Sequence, residues 1–299
     1  MKMTKKIVAL VDGSIYSHSV CENAAWIAAR TGASVDLLHV LGRREGTDAA
    51  DLSGSIALGA RSALLEELTL LDEQRAKLQQ QRGRAILEDA KAVFAEAGVT
   101  DVTTRLRIGD ILETVAEAEA DAGMLVIGKR GEAADFAKLH LGSNIERIVR
   151  ASHKPVFIAA RGFREPRRLL IAFDGGPSSM KAAAYIAENP LFTGLECHLL
   201  MAGESTPERR SKLDEAAALF ASAGREAKAF VAATAPEAAI ADHVEAQGID
   251  LLAMGAYGHS RIRSLIIGMT GPHTSFSASV PQDRRGGPLP RRVSSRGPS

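Results

Sequence analysis

The sequence predicts an α/β protein built from two tandem, doubly wound parallel-sheet domains, and three observations carry that prediction. The chain repeats itself: "KIVALVDGSIYSHSVCENAAWIAARTGASVDLLHVL" in the first half matches "RLLIAFDGGPSSMKAAAYIAENPLFTGLECHLLMAG" in the second, and "DAGMLVIGKRG" matches "GIDLLAMGAYG". Short Val/Ile/Leu-rich runs alternate with longer stretches of helical period, which is the pattern of βα units around a sheet covered on both faces. A length of 299 residues suits two domains, each long enough to bury its own core.

The elements follow in order. Strands are expected at 6–11, 35–40, 102–107, 124–128 and 155–159, as a set short and rich in Val, Ile and Leu. Helices are expected near 17–30, 64–97, 111–120 and 143–151. The repeat offset is 162 from Asp12 to Asp174 but 127 from Gly128 to Gly255, so the first half is longer by 35 residues in between. The surplus falls within residues 43–82, charged and rich in Ala, Leu and Gln, with a helical period from Leu64. It reads as a solvated helical excursion or lid. The polar stretch "ARGFREPRR", with Gly and Pro, marks a linker at 161–168 between a first domain at 1–160 and a second at 169–270. After Gly268 the repeat fails: "SNIERIVRASHKPVFIAA" has no counterpart in "MTGPHTSFSASVPQDRRGGPLPRRVSSRGPS". The second domain is therefore expected to lack its last helix and strand, with 271–299 as an aberrant or disordered basic tail. A shifted reading frame near codon 269 would account for the break, and the neighbouring frames of the gene would show it.

Composition narrows the function classes. Apolar content of 45%, charged content of 24% and a net charge of +1 describe an ordinary globular chain with no global field for nucleic acid. The last 19 residues hold five Arg and one Asp but no interleaved aromatics, a weak nucleic-acid signal. The N-terminal apolar stretch of five residues is far shorter than a signal core or a membrane span of about 20, so a cytoplasmic protein is expected. Cys21 and Cys197 lie far apart and read as buried small hydrophobes.

In an open α/β sheet, ligands bind beyond the carboxyl ends of the strands. Gly128, Gly131 and Gly142 lie there, after a strand and before a helix that opens at Ser143 and Asn144; Lys129 and Arg130 sit between the first two glycines. A helix start offers free N–H groups to an anion, and glycine lets a ligand approach the backbone. Together they describe a phosphate cradle. Turn glycines with Ser143 as a plain N-cap describe the same spacing, and spacing alone does not choose. Asp12 ends the first strand, placed for a sugar hydroxyl or a base amine. Neither GxxxxGK[ST] nor GxGxxG is present. Asp12, Ser14 and His18 lack the elbow of a hydrolase triad. His39 and His198 read as satisfied core histidines in second strands. His140, His153 and His259 have no metal-ligand spacing, Trp26 and Tyr185 read as packing residues of the first helices, and no catalytic residue is identifiable.

These residues resemble the universal stress protein family, specifically a tandem of two UspA-like domains, over roughly residues 4–270. The resemblance implies two Rossmann-like, UspA-type sheets paired as an intramolecular pseudo-dimer, a homodimer as a further assembly, and ATP binding in one branch of the family. Its nucleotide motif, Gly-x2-Gly-x9-Gly-Ser/Thr after the fourth strand and Asp after the first, maps onto Asp12, Gly13, Ser14, Val40, Gly128, Arg130, Gly131, Gly142, Ser143 and Asn144. In the second half it maps onto Asp174, Gly175, Gly255, Gly258, Gly268 and Thr270. Both copies depart from it: ten residues separate Gly131 from Gly142, and Met269 stands where Ser or Thr is expected. Mg²⁺ would accompany ATP, held more by phosphates than by protein. The departures favour a second reading, a stress protein that binds no nucleotide and acts through dimerisation and protein contacts. A nucleotidyl transferase on the same sheet lacks its catalytic motif.

Overall fold

The computed structural model describes residues 6–42, 58–129, 143–255 and 275–278. The first half runs β1 (Lys6–Leu10), α1 (Ser17–Thr31), β2 (Ser34–Gly42), α2 (Leu58–Glu96), β3 (Val102–Gly109), α3 (Ile111–Glu119), β4 (Met124–Gly128), α4 (Ser143–Ala151) and β5 (Val156–Ala159). The second runs β6 (Arg168–Ala172), α5 (Pro177–Glu188), a 3-10 turn at Pro190–Phe192, β7 (Glu196–Ala202), α6 (Pro207–Ser222), β8 (Ala227–Ala232), α7 (Pro236–Gln247), β9 (Leu251–Met254) and β10 (Ser275–Ala278).

Among the described residues, ten strands form one sheet in the order β3-β2-β1-β4-β5-β10-β9-β6-β7-β8. Pairing is parallel throughout each half, and the halves meet where β10 lies parallel to β9 and antiparallel to β5. The order reads the same outward from that junction, β5-β4-β1-β2-β3 on one side and β10-β9-β6-β7-β8 on the other. Further bonds tie the halves: Arg30 Nε donates to Leu191 O at 2.8 Å, and Arg30 Nη2 to Thr193 O.

Strand residues alternate between two cores because successive Cβ atoms point to opposite faces. Ile7, Ala9, Leu37, Val126, Leu169, Ile171 and Leu251 enter one core with α1, α2, α5 and α6. Val8, Leu38, Leu125, Ile127, Leu170 and Leu252 enter the other with α3, α4 and α7. Both faces are covered, so β1 from Ile7 onward and all of β4 are apolar.

Two expectations change. The helix expected from Leu64 begins at Leu58 and continues without a break to Glu96. Residues 43–57, the rest of the surplus, lie outside the described residues. Second, the chain after Gly268 does contain a strand. β10 takes the place beside β9 that β5 takes beside β4. In "SFSASV" the apolar residues alternate with serine, so a search for a continuous apolar run like that of β5 passes over it. Residues 256–274, where the expected missing helix would fall, and 279–299 lie outside the described residues.

Candidate functional site

The chain leaves β1 toward α1 and β2 on one side and meets β4 on the other, so a crevice opens at the carboxyl ends of β1 and β4. The same switch lies between β6 and β9. Each crevice receives an Asp-Gly turn from its first strand.

In the first half, Asp12 Oδ1 accepts the Ser14 N–H at 3.0 Å, closing an Asx turn, and the Ser17 hydroxyl at 3.1 Å. Ser17 Oγ in turn accepts the N–H groups of Asp12 and Gly13 at 3.1 and 3.0 Å. In the second half, Asp174 Oδ1 accepts the Gly176 N–H at 2.8 Å and the Ser179 hydroxyl at 2.6 Å. Gly13 and Gly175 hold left-handed φ values of 77° and 76°, which L side chains avoid. Ser17 and Ser179 are the residues that the sequence reading missed. The repeat offset of 162 places one on the other, five residues after each Asp, and that coincidence was the available signal.

The second glycine-bearing wall is as close. Gly128 ends β4 opposite Ala159, and the next residue, Lys129, donates its N–H to Ala159 O at 2.9 Å. Gly255 follows β9, where an added Cβ would lie 3.0 Å from Ser178 C and 3.1 Å from Ser179 N. Gly255 therefore lets β9 close on the first turn of α5. Gly255→Ala should cost about 1–3 kcal/mol through overpacking against that backbone. A urea midpoint indistinguishable from that of the parent would show the contact to be slack.

The two crevices differ in what covers the turn. A Cβ on Gly13 would meet Ile86 Cδ1 of α2 at 2.6 Å; on Gly175 it would meet Lys212 Cδ of α6 at 2.9 Å. Val40, near the end of β2, packs partly buried with Leu10 and Ile111 in the second core. Its counterpart at the repeat offset is Ala202, whose carbonyl accepts from Arg209 Nη1 at 3.2 Å. The second crevice thus carries cationic stems where the first carries an isoleucine.

Of the sequence-predicted residues, Asp12, Gly13, Ser14, Val40 and Gly128 come together at the carboxyl end of the first half, as do Asp174, Gly175 and Gly255 in the second. α4 starts at Ser143; because β4 and β5 are parallel, this helix must leave from the carboxyl side. Arg130, Gly131, Gly142, Gly258, Gly268 and Thr270, with the side chains of Ser143 and Asn144, lie outside the described residues.

Several other polar groups among the described residues have local partners. His39 Nδ1 lies 2.7 Å from Val11 O. His198 bridges His243 Nε2 at 2.9 Å and Glu196 Oε1 at 3.1 Å. The registers show that His39 and His198 are not equivalent: Leu170 faces His198 as Val8 faces Asp36. Asp36, 1% exposed, is paired with Lys6 at 3.2 Å and with Arg105 Nε at 2.8 Å. One half thus buries a carboxylate where the other buries an imidazole. Trp26 packs beneath Arg30, and Tyr185 edge-on to Phe192. Burial pushes the Cys21 thiol up to about 12, with Glu22 adding to it; burial also raises Cys197, so neither is a ready nucleophile. Among the described residues no three His, Cys, Asp or Glu gather as metal ligands, and no helix is long and apolar enough to cross a membrane.

The imidazole pair gives a pH prediction. Burial, and then the neighbouring His198, hold His243 below its ordinary value of 6.5. The folded state therefore keeps His243 neutral where the unfolded state protonates it. That stability is present above pH 6.5 and is lost as pH falls through the lower folded value. Glu196, lowered to about 2 by hydrogen bonds from Lys228, His198 and Arg168, stays ionised across this window. The thermal midpoint should fall between pH 7 and pH 5, and His243→Gln should flatten that slope. Equal slopes for both proteins would refute the assignment.

Comparison with known proteins agrees with this architecture. The sequence profile of the universal stress protein family matches residues 3–160 and again 165–273. Universal stress protein Slr1230 of Synechocystis sp. is 34% identical over 281 residues, 93% of this chain and 98% of that protein. Universal stress protein YxiE of Bacillus subtilis is 28% identical over 157 residues, 52% of this chain and 99% of that protein. Among solved structures, a universal stress protein from Archaeoglobus fulgidus superposes with a TM-score of 0.66 at 18% identity, covering 94% of this chain and 98% of its own. A putative universal stress protein from Pseudomonas aeruginosa gives 0.56 at 16% identity, covering 94% of each chain. At those identities the structures speak for the fold, whereas the doubled profile match and Slr1230 speak for kinship. The chain belongs to the universal stress protein family and carries the family's domain in tandem.

Proposed function

We propose that this chain binds an adenine nucleotide, ATP, in at least one half, and that binding serves a regulatory role in a cytoplasmic stress response. The observation that carries the reading is the duplication of one constellation. An Asp carboxylate, a positive-φ Gly and a Ser hydroxyl are locked together beside a strand-ending glycine, at the switch point of each half.

Asp12 and Asp174 would accept from the sugar or base. Gly131, Gly142, Ser143 and Asn144, and Gly258, Gly268 and Thr270 in the second copy, would supply N–H and hydroxyl donors to the phosphates. Mg²⁺ would ride with the phosphates. Each Asp Oδ1 is already engaged by its own turn, which suits a positioning role better than that of a general base, so binding rather than turnover is the activity proposed. Isothermal titration with ATP tests the reading. Heat with a saturable isotherm, reduced by Gly142→Asp, is expected; no heat at millimolar ATP would sink it. The competing reading, action through contacts alone, draws on the ten-residue gap before Gly142 and on Met269.

A further inference from the structure

The two crevices share a scaffold but not a cover. An offset of 126 residues lays α2 on α6: Leu87, Ala90 and Phe94 fall on Leu213, Ala216 and Phe220, all buried in one core. The same offset lays Ile86 on Lys212 and Gly83 on Arg209. Ile86 and Lys212 match in place, since each lies against the positive-φ glycine of its own turn, Gly13 or Gly175. Arg209 has no match: α2 presents only the backbone of Gly83 there, where a Cβ would lie 2.8 Å from Leu106 and 3.0 Å from His39. Arg209 spans the end of β7, its Nη1 donating to Ala202 O at 3.2 Å and to Glu204 O at 3.4 Å. Gly203, between them at φ 114°, makes room for it, since a Cβ there would lie 1.9 Å from Nη1. The Ala202 carbonyl faces the crevice. Phe173 N–H donates to Leu200 O at 2.9 Å, and every second carbonyl of a strand points the same way, so Ala202 O projects past the end of β6 on the side of the Asp174 turn. In the first half, the bond from Val11 N–H to Leu38 O at 3.0 Å sets Val40 O in the corresponding place beside the Asp12 turn. Among the described residues, no side chain donates to Val40 O.

We propose that Arg209 is a strap across the mouth of the second crevice, which makes that crevice the weaker of the two, so that nucleotide fills the first half first. The inference rests on the nucleotide reading above. A ligand seated beside Asp12 meets an open carbonyl at the end of β2. A ligand seated beside Asp174 must first lift a guanidinium from two carbonyls. A crevice open for about a tenth of the time binds about 10-fold more weakly than one that is always open. Charge alone predicts the opposite, since ATP is an anion and Arg209 a cation. The direction of change on removing Arg209 therefore separates a strap from a phosphate anchor.

Native mass spectrometry of the full chain, titrated with ATP, resolves the first and second nucleotide as separate steps. Arg209→Ala and Arg210→Ala are compared with the native chain. Arg210, the next residue of α6, bonds through Nε to Ser205 Oγ at 2.7 Å and controls for the lost charge. Both arginines are exposed, so both variants keep the fold. In the native chain the second step should need about 10-fold more ATP than two equivalent sites would require. Arg209→Ala should lower the second step by about 10-fold and leave the first in place, whereas Arg210→Ala should lower neither. Asp174→Ala added to Arg209→Ala should raise the second step again, which assigns it to the second crevice. Native steps spaced as for two equivalent sites, or a second step that is missing, unmoved or raised in Arg209→Ala, would overturn the strap and leave the nucleotide reading intact. No nucleotide mass on either the native chain or Arg209→Ala would overturn both.

Discussion

Replacing Asp12 and Asp174 together by Ala is expected to weaken ATP binding by about 10- to 150-fold, the equivalent of about 1.5–3 kcal/mol for a hydrogen bond to a charged group. The double variant is needed because the two halves carry the same turn, and one intact copy would conceal the loss. Two effects add. The carboxylate itself is removed as an acceptor. The turn it holds is also loosened, because Ser14 N–H and Ser17 Oγ lose their common partner in one half, and Gly176 N–H and Ser179 Oγ in the other. Asp→Asn at both positions keeps an oxygen for the turn and should fall between wild type and Ala. Calorimetric titration separates these cases. An affinity unchanged in the Ala variant would remove Asp12 and Asp174 from the site.

Phe94→Ala carries the other large effect, on stability. Phe94 is fully buried in the last turns of α2, in the core shared with α1 and β2. Deleting its ring should cost about 3–5 kcal/mol, the transfer of the ring plus the cavity it leaves. Leu78→Ala, on the exposed face of the same helix, should change the monomer's stability by no more than about 0.5 kcal/mol. Urea unfolding of both variants reads the difference directly. A cost below 1 kcal/mol for Phe94→Ala would mean that α2 is not held through this face.

The inner strands of the sheet were legible because buried parallel strands must be apolar on both sides, whereas the edge strand β3, VTTRLRIG, showed only alternation. The runs at 6–11, 35–40, 102–107, 124–128 and 155–159 coincide with β1 to β5 to within a few residues. What escaped notice has physical causes. β10 pairs with two flanking strands and shows only Phe276 and Ala278 alternating with serine, so the run itself carries little signal. The start of α2 at Leu58 precedes the helical period read from Leu64, because "LGARSA" shows no apolar repeat of its own. Within the site, Asp12 and Asp174 were visible as strand-ending carboxylates. Ser17 and Ser179 were not, because a serine in the first turn of a helix is an unremarkable residue until the carboxylate it holds is seen. The register of β1 with β2 and of β6 with β7 was beyond reach for a related reason. Asp36 and His198 share one place in two halves but no side-chain chemistry, and only pairing reveals it.

Native mass spectrometry of the full chain titrated with ATP addresses the central claim most directly, because it counts nucleotides per chain. One or two added nucleotide masses, saturating with ATP and requiring about 10- to 150-fold more ATP in the Asp12→Ala, Asp174→Ala variant, are the predicted result. A chain that stays at its bare mass through millimolar ATP would contradict the account and leave the duplicated turns as a purely structural feature.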